Sequence, residues 1–219
     1  QEHQYLNLIK NVISKGDKRY CRNGNTYSIF GTQMRYSLRN NTIPLLTTKR
    51  VAWKTCLREL LWFLNGETNN TLLREKGVNI WNDNSTREFL DSRGLYHYEE
   101  DELGPIYGHQ WRNFNGTYIS NNELKNNENE NKTNKPIHKD GVDQIQYIIN
   151  CLNNKSMYKE NMFSRRLVVS AWNPIQLPYM ALPPCHILFQ FYVNSNDELS
   201  LQFYPKIKHF LCRGAENWM

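Results

Sequence analysis

No run of apolar residues in this chain of 219 approaches the roughly 20 needed to cross a bilayer. Also missing are a P-loop, a GxGxxG turn, an internal repeat and any Cys/His spacing that suits zinc. These absences argue against a membrane-spanning helix, a phosphate-cradling glycine loop, a solenoid and a metal-organised module. Cysteine is scarce: five residues (Cys21, Cys56, Cys151, Cys185, Cys212), odd in number and without a disulfide or metal pattern. A reducing compartment, the cytoplasm, is therefore expected. The first residues, Gln1-Glu-His-Gln-Tyr5, have neither an initiator Met nor a signal-peptide pattern, so an excised or incomplete chain is expected. A net charge of +6 suits an anionic ligand. The Lys and Arg residues are scattered and form no single stripe, which ranks nucleic acid behind a small phosphorylated ligand.

What is present is the composition of a single globular domain, 39% hydrophobic and 13% aromatic. Tyr5, Leu8, Ile9, Val12 and Ile13 follow helical spacing, and Gly16 stops them. Residues 22–26 read as a turn-rich loop, after which Met34, Tyr36 and Leu38 alternate like a strand. A second helix puts Trp53, Cys56, Leu57, Leu60, Leu61 and Leu64 on one face and closes at Gly66. Glu59 falls on or near that apolar stripe, as a rim residue or as a partly buried acid with a raised pKa. The stretch Leu103 to Arg112 has the Gly, aromatic and amide content of a pocket wall more than of a packed core. Residues 113–140 are rich in Asn, Lys and Glu and are expected to be a surface insertion. Val142 to Leu152 marks another helix, Leu167 to Trp172 a strand, and Glu198 to Tyr204 a final strand behind a turn at 194–197.

Met180-Ala-Leu-Pro-Pro-Cys-His-Ile-Leu-Phe-Gln-Phe-Tyr-Val193 is the stretch with most chemical content. Pro183 and Pro184 force extended backbone just before Cys185. The run from His186 to Val193 has the β-branched and aromatic content of a mostly buried strand. Cys185 thus stands where a fixed loop enters a sheet, a good place for a nucleophile. A lone Cys-His pair is more often structural; its company along the chain decides.

That company resembles thymidylate synthase. The motifs are Ser28-Ile-Phe-Gly31, Pro44-Leu-Leu-Thr-Thr-Lys49, Glu59-Leu-Leu-Trp-Phe-Leu64, Gly66-Glu-Thr-Asn69 and Asn79-Ile-Trp81. They continue with Thr86 to Asp91, Leu103-Gly-Pro-Ile-Tyr-Gly108, Gln110-Trp-Arg112, Ser164-Arg-Arg166, Ser170-Ala-Trp-Asn173 and Met180 to Val193. Together, in the family's order, they carry the resemblance, in its eukaryotic-type version.

The resemblance implies a mixed α/β fold with a large bent sheet flanked by helices. It implies reductive methylation of dUMP to dTMP, with 5,10-methylenetetrahydrofolate giving carbon and hydride and no metal. Cys185 would attack C6 of the uracil, Glu59 would organise water and proton transfer, and Tyr107 would serve proton transfer at C5. His186 follows the nucleophile without being a strict base. Arg22 would bind the phosphate, although its loop is one residue shorter than usual. Arg165 and Arg166 would reach the phosphate of a neighbouring subunit, which implies a homodimer. Ile80, Trp81 and Leu182 would contact the folate and Lys49 its tail. A dihydrofolate reductase fused upstream is compatible with the Met-less start.

After Tyr204 the resemblance ends in mid-strand. The family's Gln-Arg-Ser and Gly-Val-Pro segments are replaced by Pro205-Lys-Ile-Lys208 and the residues up to Met219. Lys206 stands where a further phosphate arginine belongs and cannot reproduce its fork. Dropping one base from suitably chosen codons restores both segments, so a shifted reading frame is expected, with a pseudogene or natural truncation as the alternatives. The 219-residue chain as written is expected to be poorly soluble and inactive. Two other readings stand beside the main one: a dCMP hydroxymethylase on the same fold, and an inactive fragment that binds RNA or a full-length subunit.

Overall fold

The structure, a computed structural model, describes residues 1–21, 24–120, 140–154 and 161–205. It divides into two compact units, one over Gln1–Ala52 and one over Trp53–Lys206.

In the first unit, α1 (His3–Lys15) buries Leu8 and Val12. Ile13 is 59% exposed, so the apolar stripe is narrower than its spacing suggests. Gly16 ends the helix in extended backbone, its N–H bonded to Val12 O at 2.9 Å. β1 (Asp17–Cys21) pairs antiparallel with β2 (Gly24–Ser28), so most of the expected loop at 22–26 belongs to a hairpin. Arg22 lies outside the described residues. The strand expected through Met34, Tyr36 and Leu38 does not form. Alternation fixes which side chains share a face, but a strand also needs a neighbouring backbone. Here side-chain amides serve instead: Gln4 pairs with both backbone groups of Arg35, and Gln1 with both of Ser37.

Glu2 fastens the loop that carries Lys49. Its carboxylate accepts from the Thr47 and Thr48 amides at 2.9 and 3.0 Å and from their hydroxyls at 2.6 and 2.7 Å. The Thr47 hydroxyl leads these donors in holding the Glu2 pKa down to about 2. A folded-state pKa below the unfolded one gives stability that is present above the unfolded value and lost as pH falls towards the folded one. Glu2→Gln is therefore expected to lower the thermal midpoint at neutral pH and to flatten its decline between about pH 4.5 and 2. Parallel midpoint–pH curves for the two proteins would show the carboxylate to be idle.

In the second unit, α2 (Trp53–Leu64) buries Trp62 and Phe63. The leucine face expected to be core is largely open: Trp53, Leu57, Leu60 and Leu61 are 44–49% exposed and Cys56 is exposed, with Leu64 alone packed against the core. The inward stripe is instead buried Trp62 and Phe63 with half-buried Glu59, at helical i, i+3, i+4 spacing. Two large aromatics there bury more apolar surface than the alternative leucines. Gly66, at φ +82°, closes α2 with Gly66 N–H on Phe63 O and Glu67 N–H on Trp62 O.

The short helices α3 (Thr71–Arg74), α4 (Asn82–Ser85) and α5 (Arg87–Ser92) follow, and Thr86 caps α5 by accepting from Phe89 N. The Leu103 to Arg112 stretch is the most buried in the chain, with Leu103, Ile106 and Gln110 at 0–1% exposure. It is packed core as much as pocket wall. Its helix α6 (Tyr107–Arg112) crosses α2 closely, because Gly108 has only backbone of Glu67 and Gly66 where a Cβ would stand.

Of the segment 113–140, residues 113–120 and 140 are described. Asn113 and Ser120 are buried, and Thr117 donates its amide and hydroxyl to Asp140, closing the base of the segment. Residues 121–139 lie outside the described residues. α7 (Gln144–Leu152) is capped by Asp143 through Gln146 N. β3 (Val168–Ser170), β4 (His186–Val193) and β5 (Leu199–Pro205) form an antiparallel sheet in that order. β4 is only half-buried apart from Val193, because β5 and one face of the sheet are open. The class is mixed α/β as expected, while the sheets among the described residues have two and three strands. No described helix is long and apolar enough to cross a membrane.

Candidate active site

α2, α4, α6 and the loop into β4 bring Glu59, Trp81, Tyr107 and Cys185 together. Pro184 is buried and Cys185, directly after it, is exposed, so the proline anchors a thiol that faces outward. The two amides that follow are fixed as well: Cys185 N–H and His186 N–H donate to the Tyr107 hydroxyl at 2.6 and 3.3 Å. That phenol oxygen is held by two donors, so its own proton is free to point elsewhere. Burial, reinforced by nearby Cys185 and Glu59 and opposed by the two amides, pushes the Tyr107 pKa up to about 12. Tyr107 therefore keeps its proton throughout the physiological range.

Aromatic packing sets the ring in place. Tyr107 lies 4.5 Å from Phe63, 6.3 Å from Trp81 and 6.3 Å from Trp111, centroid to centroid. The His186 ring stands 5.4 Å from Tyr107 and 4.9 Å from Phe203. Trp81 Nε1–H donates to Glu59 Oε1 at 2.8 Å. Burial raises the Glu59 pKa and the Trp81 bond opposes that rise. The choice between rim residue and partly buried acid is thus decided for the acid. A thiol, a phenol and a carboxylate with raised proton affinity share one wall, a set suited to nucleophilic addition with proton transfer.

A profile of the thymidylate synthase family matches residues 3–208. The chain belongs to the thymidylate synthase family. It is 48% identical over 208 residues to a bifunctional dihydrofolate reductase-thymidylate synthase of Leishmania major, covering 94% of this chain and 36% of that protein. It is 50% identical over 196 residues to a probable thymidylate synthase of Schizosaccharomyces pombe, covering 89% and 28%. A thymidylate synthase of Equine herpesvirus 2 is 47% identical over 206 residues, covering 94% and 64%. The chain spans only about a third of the length of the first of these relatives. Nothing in these matches favours a dCMP hydroxymethylase or an RNA-binding fragment.

Other thymidylate synthase positions fall in different places. Ile80 is 52% exposed beside buried Trp81, and half-buried Leu182 packs on the core two residues before Pro184. Arg165 and Arg166 are exposed and line a recess of about 260 Å³ with Phe163 and Ser164. Arg165 O accepts from Gln190 Nε2, and Gln190 is five residues along β4 from Cys185. At about 3.4 Å per residue, the Gln190 backbone lies roughly 17 Å along the strand from that of Cys185. Lys49 is exposed in the first unit. The resemblance is expected to end after Tyr204; the family profile runs on to residue 208, and residues 206–219 lie outside the described residues. Sequence pattern did not reveal the bond from Tyr107 to the Cys185 amide or that from Trp81 to Glu59. The aromatics three and four residues after Glu59 were the available signal, since they mark its helix face as the buried one.

Proposed function

We propose that the protein to which these residues belong methylates dUMP reductively to dTMP. The observation that carries this is the Tyr107 hydroxyl bound to the backbone of exposed Cys185 on the wall that holds Glu59. The Cys185 thiolate adds to C6 of the uracil, breaking the C5–C6 π bond and placing charge at C5 and the O4 carbonyl. C5 is then nucleophilic, which it is not while C6 is unsaturated. Methylenetetrahydrofolate supplies the one-carbon unit and the hydride. Glu59 organises water and proton transfer at the ring, and the Tyr107 hydroxyl, which keeps its own proton, orients the water that accepts the C5 proton; loss of that proton and expulsion of the Cys185 thiolate restore the double bond. Ile80, Trp81 and Leu182 give the folate an apolar seat and Lys49 meets its anionic tail.

Arg22 holds the dUMP phosphate. The attachment of the Arg165 backbone at Gln190, five residues along β4 from Cys185, supports Arg165 and Arg166 serving the site of a second subunit, hence a homodimer. Dihydrofolate reductase, named in several relatives, is the enzyme class that would regenerate the spent folate, in the cytoplasm.

Two measurements test the reading. Intact-mass spectrometry after incubation with 5-fluoro-dUMP and methylenetetrahydrofolate is expected to show one adduct per chain, mapped to Cys185. A folded protein that stays unlabelled overturns it. Since burial raises the Glu59 pKa, its charge is lost at a higher pH than that of a free carboxylate. The acid limb of kcat against pH should lie correspondingly high and vanish in Glu59→Gln, with a rate loss of roughly 10²–10⁴-fold.

A further inference from the structure

We propose that Asp101 is the positioning residue that keeps Trp81, and through it the Glu59 carboxylate, in register with Tyr107. This rests on the roles given above to Glu59 and Tyr107. Asp101 is 6% exposed and adopts φ +69°, in the left-handed region that side chains occupy only when their surroundings over-determine them. Its carboxylate accepts from Asn70 Nδ2 at 3.2 Å, Ser85 Oγ at 2.9 Å, Thr71 Oγ1 at 3.1 Å and both terminal nitrogens of Arg74. Its amide donates to Ser85 O and its carbonyl accepts from Asn70 N, each at 2.8 Å. Asn70 Nδ2 also reaches Asn82 Oδ1 at 3.0 Å.

These partners belong to two elements. Asn70, Thr71 and Arg74 are α3 and its cap; Asn82 and Ser85 are the ends of α4. Residues 75–81, which carry Ile80 and Trp81, are strung between them. On its other side Asp101 starts the buried stretch to Tyr107, and the next residue, Glu102, bridges to Asn69. One side chain therefore ties the Trp81 segment to the Tyr107 segment. A glycine would make the left-handed turn more easily, but only a carboxylate accepts all these donors at once. Burial works against the charge, and the bonds from Asn70, Ser85, Arg74 and Thr71 outweigh it, so the group stays ionised.

The test reads the Trp81 indole N–H in ¹H–¹⁵N spectra of the full chain, assigned by its disappearance in Trp81→Phe. It is expected downfield in the starting protein, because it donates to a carboxylate, and displaced upfield in Glu59→Gln. Asp101→Asn should move it the same way while the other indole resonances hold. A lower melting temperature with the Trp81 resonance unmoved would overturn the proposal, as would equal displacement of every indole. If Asp101→Asn does not fold, Arg74→Gln removes only the outer donor and should produce a smaller upfield displacement; no displacement there overturns it equally. The readout needs no turnover, so failure of the methylation reading would appear in the adduct assay and leave this result separate.

Discussion

Cys185→Ala is expected to abolish the 5-fluoro-dUMP adduct and to reduce dTMP formation by roughly 10⁴-fold or more. The size follows from the chemistry. Without sulfur at C6 the C5 carbon has no route to nucleophilicity, and neither Glu59 nor Tyr107 supplies one. Because Cys185 is exposed and makes its contact to Tyr107 through its backbone amide, alanine should leave that bond and the fold intact. Unchanged circular dichroism and melting temperature, with nucleotide binding retained in a filter assay, would separate lost chemistry from lost structure. A variant that still forms the adduct would move the nucleophile to another cysteine, and peptide mapping would identify it. Serine is the less clean substitution, since its hydroxyl retains a weak nucleophile at the same place.

Gly104→Ala is expected to destabilise the second unit by about 2–5 kcal/mol, read as a lowered urea midpoint. Two penalties combine. Gly104 holds φ +74°, which disfavours a Cβ by about 1–2 kcal/mol. The Cβ would also stand 2.1 Å from Tyr179 O and 2.9 Å from the Tyr98 ring, where Tyr98 Oη donates to that same carbonyl at 3.0 Å. Backbone cannot retreat as a flexible side-chain end can, so the overpacking adds about 1–3 kcal/mol. Against a total stability of about 5–15 kcal/mol this is a large fraction. Gly94→Ala is the control: its φ is also +74°, but open space surrounds the added carbon. It should show the backbone penalty alone. Equal midpoints for the two variants would show that the close approach to Tyr179 carries no energy. The consequence is functional as well, since Leu103 O accepts from Ala181 N at 3.0 Å and so joins the Tyr107 stretch to the loop that leads to Cys185.

The helices α1, α2 and α7, the β4–β5 hairpin and the cysteine at the entrance to β4 were legible along the chain, because each depends on local pattern: periodicity, a stopping glycine, two prolines before a cysteine. The strand expected at Met34 to Leu38 was not legible in this way. It needed a neighbouring backbone, and glutamine side chains took that role. The Leu57-Leu60-Leu61 face failed for a related reason. Hydropathy counts apolar residues, whereas packing chose the face with two large aromatics.

The sequence by itself determined the family, the thiol after a double proline and the acid on α2, since each rests on residue identity and order. Only the tertiary structure decided that Glu59 is a partly buried acid bonded to Trp81, that Tyr107 accepts from the amide of Cys185, and that the Arg165 backbone is held at Gln190 of β4. These are relations between segments distant in the chain. They depend on desolvation and on hydrogen-bond geometry, and neither exists until the segments meet.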